Sequence, residues 1–405
     1  FSYQNYQRDY YGVERIQAKA NGDWARPLGK IKSREDYLIA NIDITGKFNS
    51  GKIGHTLLAG IDADRYYTTA FTYDIAGKIY DTLNLLNPSK FVQRTDIPVA
   101  TALTRTATPV NRMGAYVQDL ISLSDKLKVL AGVRWSMQQS EAVQTNYLVK
   151  DSIGKGKSSE MNAFSPRFGL VYRPWHNLSA FASYSNSFAV NSGTDVSGNA
   201  LPASIIDQYE LGIKNELFQG KLSVNLTLYK IINNNLAQTA PFLADGSTPN
   251  NNTALKELAG QTTSNGVELD IAAQPVKGLN LLAGFSHNDM RYTKTKQAKG
   301  NYIEGDRLVN TPANTANSSA FYTFQNGPIK GLKLGLSALY IGERIGGWNN
   351  TQGQAQLYNR MIPIDGYSSF DFSAGFTYKK MSLLLKVANI FNEYNYYVHE
   401  NYSVN

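Results

Sequence analysis

The segment KLSVNLTLYKI (residues 221–231) alternates apolar and polar side chains. Leu222, Val224, Leu226 and Leu228 fall on one side, and Ser, Asn and Thr side chains fill the positions between them. Because successive side chains of a β-strand point to opposite faces, this period of two predicts a strand with one apolar and one polar face. The same alternation recurs in three further segments: residues 127–135, 332–340 and 369–378. The sequence therefore predicts an all-β protein.

The links between the alternating segments differ in length in a regular way. Tight turns are predicted at residues 47–52, 123–126, 173–177, 218–220, 275–278, 325–330 and 378–380. Long polar links are predicted at residues 74–110, 144–162, 190–206, 233–262, 294–311 and 343–363. Short and long links alternate, as the periplasmic turns and external loops of bacterial outer-membrane barrels do. The pattern predicts a transmembrane antiparallel up-and-down β-barrel, with about sixteen strands long enough to cross a bilayer.

Composition excludes several classes of protein. The 405 residues contain no apolar run long enough for a transmembrane helix, and no Cys for disulfides or thiol catalysis. The formal charge of +8 arises from 40 Lys and Arg against 32 Asp and Glu. These charges are scattered, and no nucleic-acid motif accompanies them, so we expect no nucleic-acid partner. The 26 Tyr and 17 Phe gather near predicted strand ends, which suits the aromatic girdles of membrane barrels.

No arrangement of residues predicts catalysis or a bound metal. The four His residues, His55, His176, His287 and His399, lie far apart without metal-ligand spacing. The sequence also lacks a nucleophile elbow, a phosphate-binding loop and a zinc motif. We therefore expect neither an enzyme nor a cofactor.

Several motifs, in order along the chain, resemble one family. They are GAYVQD (114–119), LAGVR (130–134), SPRFGLVYRP (165–174), SYSNSF (183–188), QYELGIK (208–214), GVELD (266–270) and VANIFNEY (387–394). Each is weak alone, but their order and spacing resemble the TonB-dependent outer-membrane receptors, over most of the chain from about Gly51 onward. Within that family, GHTLLAGID (54–62) and QNGPIKGL (325–332) look most like the ferrichrome-type siderophore receptors.

The resemblance implies a barrel of about 22 strands, plugged by an N-terminal domain that engages TonB. On this interpretation residues 1–405 are part of the barrel, with the plug, the TonB box and the closing strand absent from the chain. The implied function is active import of a ferric siderophore across the outer membrane of a Gram-negative bacterium. The expected partners are TonB, the siderophore, lipopolysaccharide and outer-membrane lipid, with a surface lipoprotein as a further partner.

Two sets of site residues follow. Glu210 and Glu268 each stand between apolar residues, so they should project to the polar face, where a carboxylate against a plug would need a cationic partner. The resemblance matches them to two barrel glutamates that pair with plug arginines, and a solvated wall carboxylate is the alternative. Arg134 and Arg167 are added as plug contacts.

The ligand-binding candidates are aromatic and basic residues near loop bases: Tyr66, Tyr67, Phe71, Tyr73, Arg291, Tyr292, Arg344 and Trp348. The alternative for each of them is an interfacial girdle residue or an outward-facing loop residue.

Other functions remain open from the sequence. The same fold could import haem, cobalamin or a glycan. A passive porin or an adhesin would need no plug and no pair of inward glutamates. A soluble carbohydrate-processing enzyme would need two carboxylates across a cleft and would lack loops on one side only.

Overall fold

The computed structural model describes residues 1–13, 18–77, 79–296, 302–348 and 361–396; the side chains of Lys90 and Trp348 fall outside this description. Within these residues the chain forms twenty strands and one 3₁₀ helix, Pro88–Lys90. The strands are β1 (Ser2–Val13), β2 (Asp23–Ser50), β3 (Ile53–Ile75), β4 (Ile79–Asn84), β5 (Ala100–Ser122), β6 (Leu127–Ser140), β7 (Gln144–Tyr147), β8 (Ser152–Lys155), β9 (Ser159–Trp175), β10 (Leu178–Ala189), β11 (Ser204–Leu217), β12 (Leu222–Thr239), β13 (Lys256–Ala273), β14 (Leu279–Thr295), β15 (Asn314–Thr323), β16 (Lys333–Ile341), β17 (Arg344–Trp348), β18 (Met361–Ile364), β19 (Tyr367–Tyr378) and β20 (Met381–Val387). The predicted all-β architecture is confirmed. None of the described segments is a helix capable of crossing a membrane.

The chain divides into two compact units. The first unit consists of Phe1–Thr45, Leu58–Val117 and Arg134–Phe164. The second unit consists of Gly46–Leu57, Gln118–Val133 and Ser165–Asn405.

Antiparallel pairing follows chain order in both units. In the first unit β1 pairs with β2, and the short strand β4 pairs with the beginning of β2. Strand β3 pairs with both β2 and β5, and the hairpin of β7 and β8 pairs with the beginning of β5. In the second unit each of β9 to β16 pairs with the next, and β16 continues to β19 and then β20. Such neighbour-to-neighbour pairing is the meander that an up-and-down topology requires.

Short and long links alternate along the described strands, as predicted. Short links join β2 to β3, β5 to β6, β9 to β10, β11 to β12, β13 to β14, β15 to β16 and β19 to β20. Long links follow β3, β6, β10, β12, β14 and β16, and the short strands β4, β7, β8, β17 and β18 lie within them. The turn after β11 places Phe218, Gln219 and Gly220 at positive φ of 53°, 60° and 83°. Three successive left-handed residues reverse the chain within a minimal length.

The long links are shorter than the sequence indicated. The predicted link 233–262 is reduced to residues 240–255, because β12 runs to Thr239 and β13 begins at Lys256. The added strand residues are mostly polar on both faces, among them Asn233, Asn234 and Thr262. A strand with polar residues on both faces shows no alternation of apolar and polar residues. The ends of these strands were therefore assigned to the loop.

The described residues lack a conventional hydrophobic core. Their buried apolar side chains are Leu201, Ala240, Ala259 and Tyr292, all close to long links. Large apolar side chains within the strands are exposed instead, for example Ile44 at 69 % and Leu211 at 57 %. A soluble chain of this length would bury a large share of its apolar surface. Among the residues that the structure describes, no second layer therefore packs against the apolar side chains of the sheet in either unit.

The register of the second unit sorts its side chains into two faces. Leu228 of β12 lies opposite Leu211 of β11, whereas the next residue, Tyr229, lies opposite Glu210. Directly paired residues point to the same side of an antiparallel sheet. The apolar face of this unit carries Leu211, Ile213, Leu226, Leu228 and Leu269, and its polar face carries Glu210, Lys214, Asn225, Thr227, Glu268 and Asp270.

Candidate functional site

Glu210 on β11 and Glu268 on β13 both lie on the polar face of the second unit. Glu210 is paired with Tyr229 of β12, and Glu268 with Thr227 of the same strand. Since Tyr229 and Thr227 are two residues apart, the two glutamates point to the same side. Two strand steps of about 4.8 Å and an offset of about 7 Å along the strands place their Cα atoms about 12 Å apart.

The two glutamates differ in their surroundings. Glu210 is half-buried, and it accepts hydrogen bonds from the Ser183 hydroxyl at 3.0 Å and the Gln208 amide at 2.6 Å. Glu268 is exposed and has no hydrogen bond or ion pair with the residues described. Arg167 lies opposite Ser185 on this polar face and is likewise exposed, with no partner among the same residues. The polar face thus presents a carboxylate and a guanidinium that are both available to a further group.

The polar face of the first unit carries a row of carboxylates with cationic and phenolic partners. Arg134 of β6 donates to both carboxylate oxygens of Asp62 on β3, at 2.6 and 2.8 Å. Arg112 of β5 donates to Asp64 at 2.9 Å. The hydroxyl of Tyr116 donates to Asp43 of β2. We call Asp43, Asp62 and Asp64 the carboxylate row.

This row changes the interpretation of Arg134. Its guanidinium is already held by Asp62, and its Nε donates to Ser136 at 2.8 Å. Arg134 therefore stabilises the wall itself, whereas Arg167 keeps its donors available. The row was not predicted from the sequence, although Asp62 and Asp64 are two residues apart, a spacing that places both on one face of a strand.

The aromatic candidates on β3 do not share one face. The hydroxyl of Tyr66 donates to Glu35 at 3.0 Å, and its ring lies 5.7 Å from that of Tyr37, on the polar face. Phe71 and Tyr73 lie on the opposite face, beneath the ammonium groups of Lys32 and Lys30. By alternation Tyr67 joins Phe71 and Tyr73. Of the four candidates, Tyr66 alone therefore faces the polar side, and a ligand-binding role for any of them stays a prediction.

Arg291 and Tyr292 are consecutive residues of β14 and point to opposite faces. Arg291 donates to Asp289 at 2.8 Å and to the carbonyl of Gly305. Tyr292 is 5 % exposed, and the ring of Tyr302 is stacked on it at 4.3 Å. Burial raises the pKa of the Tyr302 phenol, which lies in the link after β14. Tyr292 therefore supports a link and offers little surface to a ligand.

Arg344 at the beginning of β17 is also buried, at 8 % exposure. Its guanidinium donates to the carbonyl of Tyr396 at 2.6 Å and lies 5.6 Å from the ring of Tyr367. These contacts anchor a chain segment and leave few donors for a ligand. Trp348, the remaining candidate, has its side chain outside the described part of the structure.

Two long links of the second unit are joined to each other. The backbone N–H of Thr194 donates to the carbonyl of Ala254 at 3.1 Å, and that of Lys256 donates to Thr194 at 2.7 Å. Within the link 240–255, Asp245 accepts hydrogen bonds from the Thr248 hydroxyl and from the backbone of Ser247. These donors, the hydroxyl first, lower the pKa of Asp245 to about 2. The links at this end of the sheet are therefore structured, and their carboxylates are ionised at neutral pH.

Comparison with known proteins identifies a family. The family model described as TonB dependent receptor-like, beta-barrel, matches residues 1–390. The chain is similar to the metal-pseudopaline receptor CntO of Pseudomonas aeruginosa PAO1, at 26 % identity over 371 residues, which covers 89 % of this chain and 49 % of that protein. It is also similar to the ferrichrome outer membrane transporter and phage receptor of Escherichia coli K12, at 29 % identity over 308 residues, 75 % of this chain and 38 % of that protein. The chain spans about half the length, or less, of these curated relatives.

Solved structures with the same fold include two iron receptors. The pyoverdine receptor FpvA of P. aeruginosa superposes with a TM-score of 0.76 at 19 % identity, over 96 % of this chain and 49 % of that chain. The ferric-catecholate import receptor Fiu of E. coli K12 gives a TM-score of 0.73 at 16 % identity, over 96 % of this chain and 56 % of that chain. At this level of identity the likeness concerns the fold alone.

Proposed function

Because this chain belongs to the TonB-dependent receptor-like β-barrel family, we propose that it forms part of the wall of an outer-membrane transporter for a ferric siderophore. The observation that carries the proposal is the two-faced sheet. Its apolar side chains are exposed without a second layer, and the opposite face is lined by charged groups. A bilayer on one side and a hydrated lumen on the other satisfy both faces.

The apolar face is the lipid side of the wall. Leu222, Val224, Leu226 and Leu228 alternate on β12, and Leu332, Leu334 and Leu336 alternate at β16. Lys221, Asn225, Lys333 and Ser337 then face the lumen. In this unit Glu210 and Glu268 would also face the lumen.

The cargo is a metal chelate, and a ferric siderophore is the class we favour. Similar proteins are receptors for ferrichrome, ferric pyoverdine and ferrioxamine B. The similarity to a metal-pseudopaline receptor gives a second candidate cargo, a complex of pseudopaline with a metal. The name of that receptor does not restrict the metal to iron. Haem, cobalamin and glycans remain alternatives of the same fold. In the first unit, Tyr66 and Tyr37 offer phenol rings to such a ligand on the polar face.

The plug is the expected partner of the lumen face. Glu268 and Arg167 have no partner among the described residues, so a plug domain could supply groups of opposite charge to both. TonB would act through that plug. Lipopolysaccharide and outer-membrane lipid would contact the apolar face, and a surface lipoprotein would contact the long links, in the outer membrane of a Gram-negative bacterium.

Uptake of radiolabelled iron tests the proposal. The full-length protein would be produced in a bacterium that lacks its own siderophore receptors and is supplied in turn with ferrichrome, ferrioxamine B, ferric pyoverdine and metal-pseudopaline. We expect accumulation of at least one chelate, and we expect deletion of TonB to abolish it. Accumulation that persists without TonB would indicate a passive porin. If none of the four chelates accumulates while haem or cobalamin is imported, haem or cobalamin is the cargo instead.

A further inference from the structure

Three asparagines of the chain are followed by glycine: Asn21, Asn265 and Asn326. The side-chain carbonyl carbon of an asparagine is open to attack by the backbone nitrogen of the next residue. Glycine hinders this attack least, because it has no side chain. The attack also requires that the two groups are not held apart by hydrogen bonds or by a fixed backbone. The structure separates the three asparagines by these requirements.

The first pair, Asn21 and Gly22, is held on both sides of the reacting bond. The Nδ2 of Asn21 donates to the Asp23 carboxylate at 2.7 Å, and its Oδ1 accepts from the backbone N–H of Asp23 at 3.1 Å. The backbone N–H of Gly22 donates to the carbonyl of Lys19 at 2.9 Å. A methyl group at Gly22 would lie 2.7 Å from Leu86, so this turn is also crowded. Both reacting groups of this pair are therefore engaged.

The second pair, Asn265 and Gly266, lies inside β13, which has a paired strand on each side. Asn265 is opposite Lys230 of β12 and Asp289 of β14, and the ring of Tyr229 covers Gly266. A strand between two neighbours engages its N–H groups and keeps ψ near about +135°. Ring closure needs the backbone to rotate away from this extended conformation. The folded sheet therefore protects this pair.

The third pair, Asn326 and Gly327, lies in the short link between β15 and β16. Both residues are exposed, and Gly327 has a positive φ of 77° with open space around it. Among the described residues, neither the side chain of Asn326 nor the N–H of Gly327 has a hydrogen bond. The N–H of Phe324 donates to the carbonyl of Leu332 at 2.9 Å, which closes the base of the link. Only this pair has both reacting groups free at the tip of a turn.

We propose that Asn326 is a site of spontaneous deamidation in the folded protein. The nitrogen of Gly327 loses its proton to solvent base and forms a bond to Cγ of Asn326. The bond from Cγ to the side-chain nitrogen breaks, and that nitrogen leaves as ammonia with a proton from water. Water then adds to one of the two carbonyl carbons of the cyclic imide and opens the ring. Opening at one carbon leaves aspartate, and opening at the other leaves isoaspartate, whose main chain runs through the former side chain.

The modification changes the charge of the link. Residues 324–332 contain a single charged side chain, Lys330. A carboxylate at position 326 offsets this ammonium, so the link changes from one positive charge to neutral. Isoaspartate also lengthens the main chain at the tip, while the pairing of Thr323 with Lys333 lies outside the modified turn. Older copies of the protein therefore carry a more acidic and more extended link than newly made ones.

Peptide mapping by mass spectrometry of the purified full-length protein tests this site. The folded protein is incubated in detergent at neutral and at mildly alkaline pH, and the three asparagines are followed with time. We expect Asn326 to convert to aspartate and isoaspartate at least about tenfold faster than Asn21 and Asn265, which lack the reacting geometry. The rate should rise with pH, because the deprotonated nitrogen is the attacking group.

The same protein in denaturant is the matched control, and there the three asparagines should react at similar rates. Asn326→Gln should stay unmodified in the folded protein, because its longer side chain disfavours the five-membered ring. Asn326→Asp provides the charge reference, and aged protein should acquire a species that focuses at the same pH. Electrophoresis of unboiled samples checks that the protein stays folded during the incubation.

Several outcomes would overturn the proposal. If Asn326 stays intact in the folded protein but reacts in denaturant, the link itself prevents ring closure. If Asn21 or Asn265 reacts as fast as Asn326 in the folded protein, the fold does not select the site. A rate that does not rise with pH would exclude attack by the backbone nitrogen. None of these measurements involves transport, so their outcome is independent of the proposed function.

Discussion

The position of the Arg134 side chain depends on its neighbour Gly114, which has no side chain. Its guanidinium crosses β5 at Gly114 to reach Asp62 on β3. A methyl group at Gly114 would overlap the Arg134 guanidinium. Since directly paired strand residues lie close together, only glycine leaves a path for an ion pair that spans three strands.

We therefore predict that Gly114→Ala displaces Arg134 and destabilises the folded protein by about 1 kcal/mol, a value kept low because both partners are about one-third exposed. Gly46→Ala is the matched control, since Gly46 also lies in a strand but has open space around it. Unfolding temperature, followed by heat-dependent migration in electrophoresis, is the measurement. Equal behaviour of the two variants would contradict the role of Gly114.

Asp245 gives a second prediction for a single residue. Its carboxylate accepts hydrogen bonds in the link 240–255, and its pKa is lowered from 3.8 to about 2. A lowered pKa in the folded state means that ionised Asp245 stabilises the link fully above about pH 4, and that this contribution is lost as pH falls through about 2. At pH 5, Asp245→Asn should speed hydrogen exchange in residues 240–255.

The difference between the wild type and Asp245→Asn should become small near pH 2, where about half of Asp245 is protonated, and it should vanish at still lower pH. Hydrogen exchange measured by mass spectrometry at each pH makes the comparison. Asp125→Asn, in the short link after β5, serves as a control and should leave exchange in residues 240–255 unchanged. A difference between wild type and Asp245→Asn that stays the same at every pH would argue against the carboxylate as its cause.

Pairs of an aromatic residue and a glycine hold neighbouring strands of the wall in register. On the polar face, Phe181 covers Gly212, Tyr229 covers Gly266 and Phe321 covers Gly335, each across neighbouring strands. The glycine provides the space and the ring fills it, so a shift of one residue would expose both. Such pairs can fix strand pairing where no hydrophobic core exists to do so.

Tyr229→Ala tests this device. We predict a loss of about 1 kcal/mol in the stability of the folded protein, the usual scale of a cross-strand pair. Ser223→Ala, on the same strand and the same face, is the control. Gly266→Ala should also destabilise, and the double variant should lose less than the sum of the two single losses, because the two residues share one space. Additive losses would show that the ring and the glycine act independently.

The sequence predicted strands well where their two faces meet different solvents. Leu222 to Leu228 alternate because one face is apolar, so both the strand and its face could be assigned. Beyond Ile232 the same strand is mostly polar on both sides, and its last seven residues, 233–239, were assigned to a loop. The length of the wall strands was therefore underestimated at the end nearer the long links.

The candidate site was predicted unevenly for a similar reason. Glu210 and Glu268 were placed on the polar face because apolar neighbours flank them, and the register agrees with that placement. Tyr66 and Phe71 lie where aromatic residues occur on both faces, so their sequence did not distinguish the two sides. Ion pairs across three strands, such as Asp62 with Arg134, depend on register, which a single strand does not encode.

At the scale of the molecule, the alternation of links predicts which parts of the second unit reach the cell surface. The links 190–203 and 240–255 are hydrogen-bonded to each other, and the turns 218–220 and 275–278 lie at the opposite ends of β11 to β14. These 405 residues contain no Cys, so labelling of an introduced Cys is measured against the protein without it. We predict that Ser197→Cys and Ser247→Cys react with an impermeant maleimide on intact cells.

In contrast, Gln219→Cys and Lys277→Cys should react only after the outer membrane is permeabilised. Labelling is read by mass shift or fluorescence of the purified protein. Reaction of Gln219→Cys on intact cells, or protection of Ser247→Cys there, would reverse or abolish the proposed orientation of the wall.

Substitution of Glu210 and Glu268 tests the coupling of the wall to a plug. Their Cα atoms lie about 12 Å apart on one face, within the reach of two neighbouring arginines of a partner domain. A charge that loses its partner in a partly desolvated place costs about 3 to 5 kcal/mol, so Glu210→Gln with Glu268→Gln should loosen the plug. We expect chelate uptake to fall at least about tenfold and entry of a large excluded antibiotic to rise, with normal insertion of the barrel.

Glu216→Gln with Asp270→Asn is the matched control, because both residues are exposed acids on the same two strands and the same face. If the control impairs uptake as much as the test variant, the effect arises from the total charge of the lumen. Glu210 and Glu268 then have no specific role in gating.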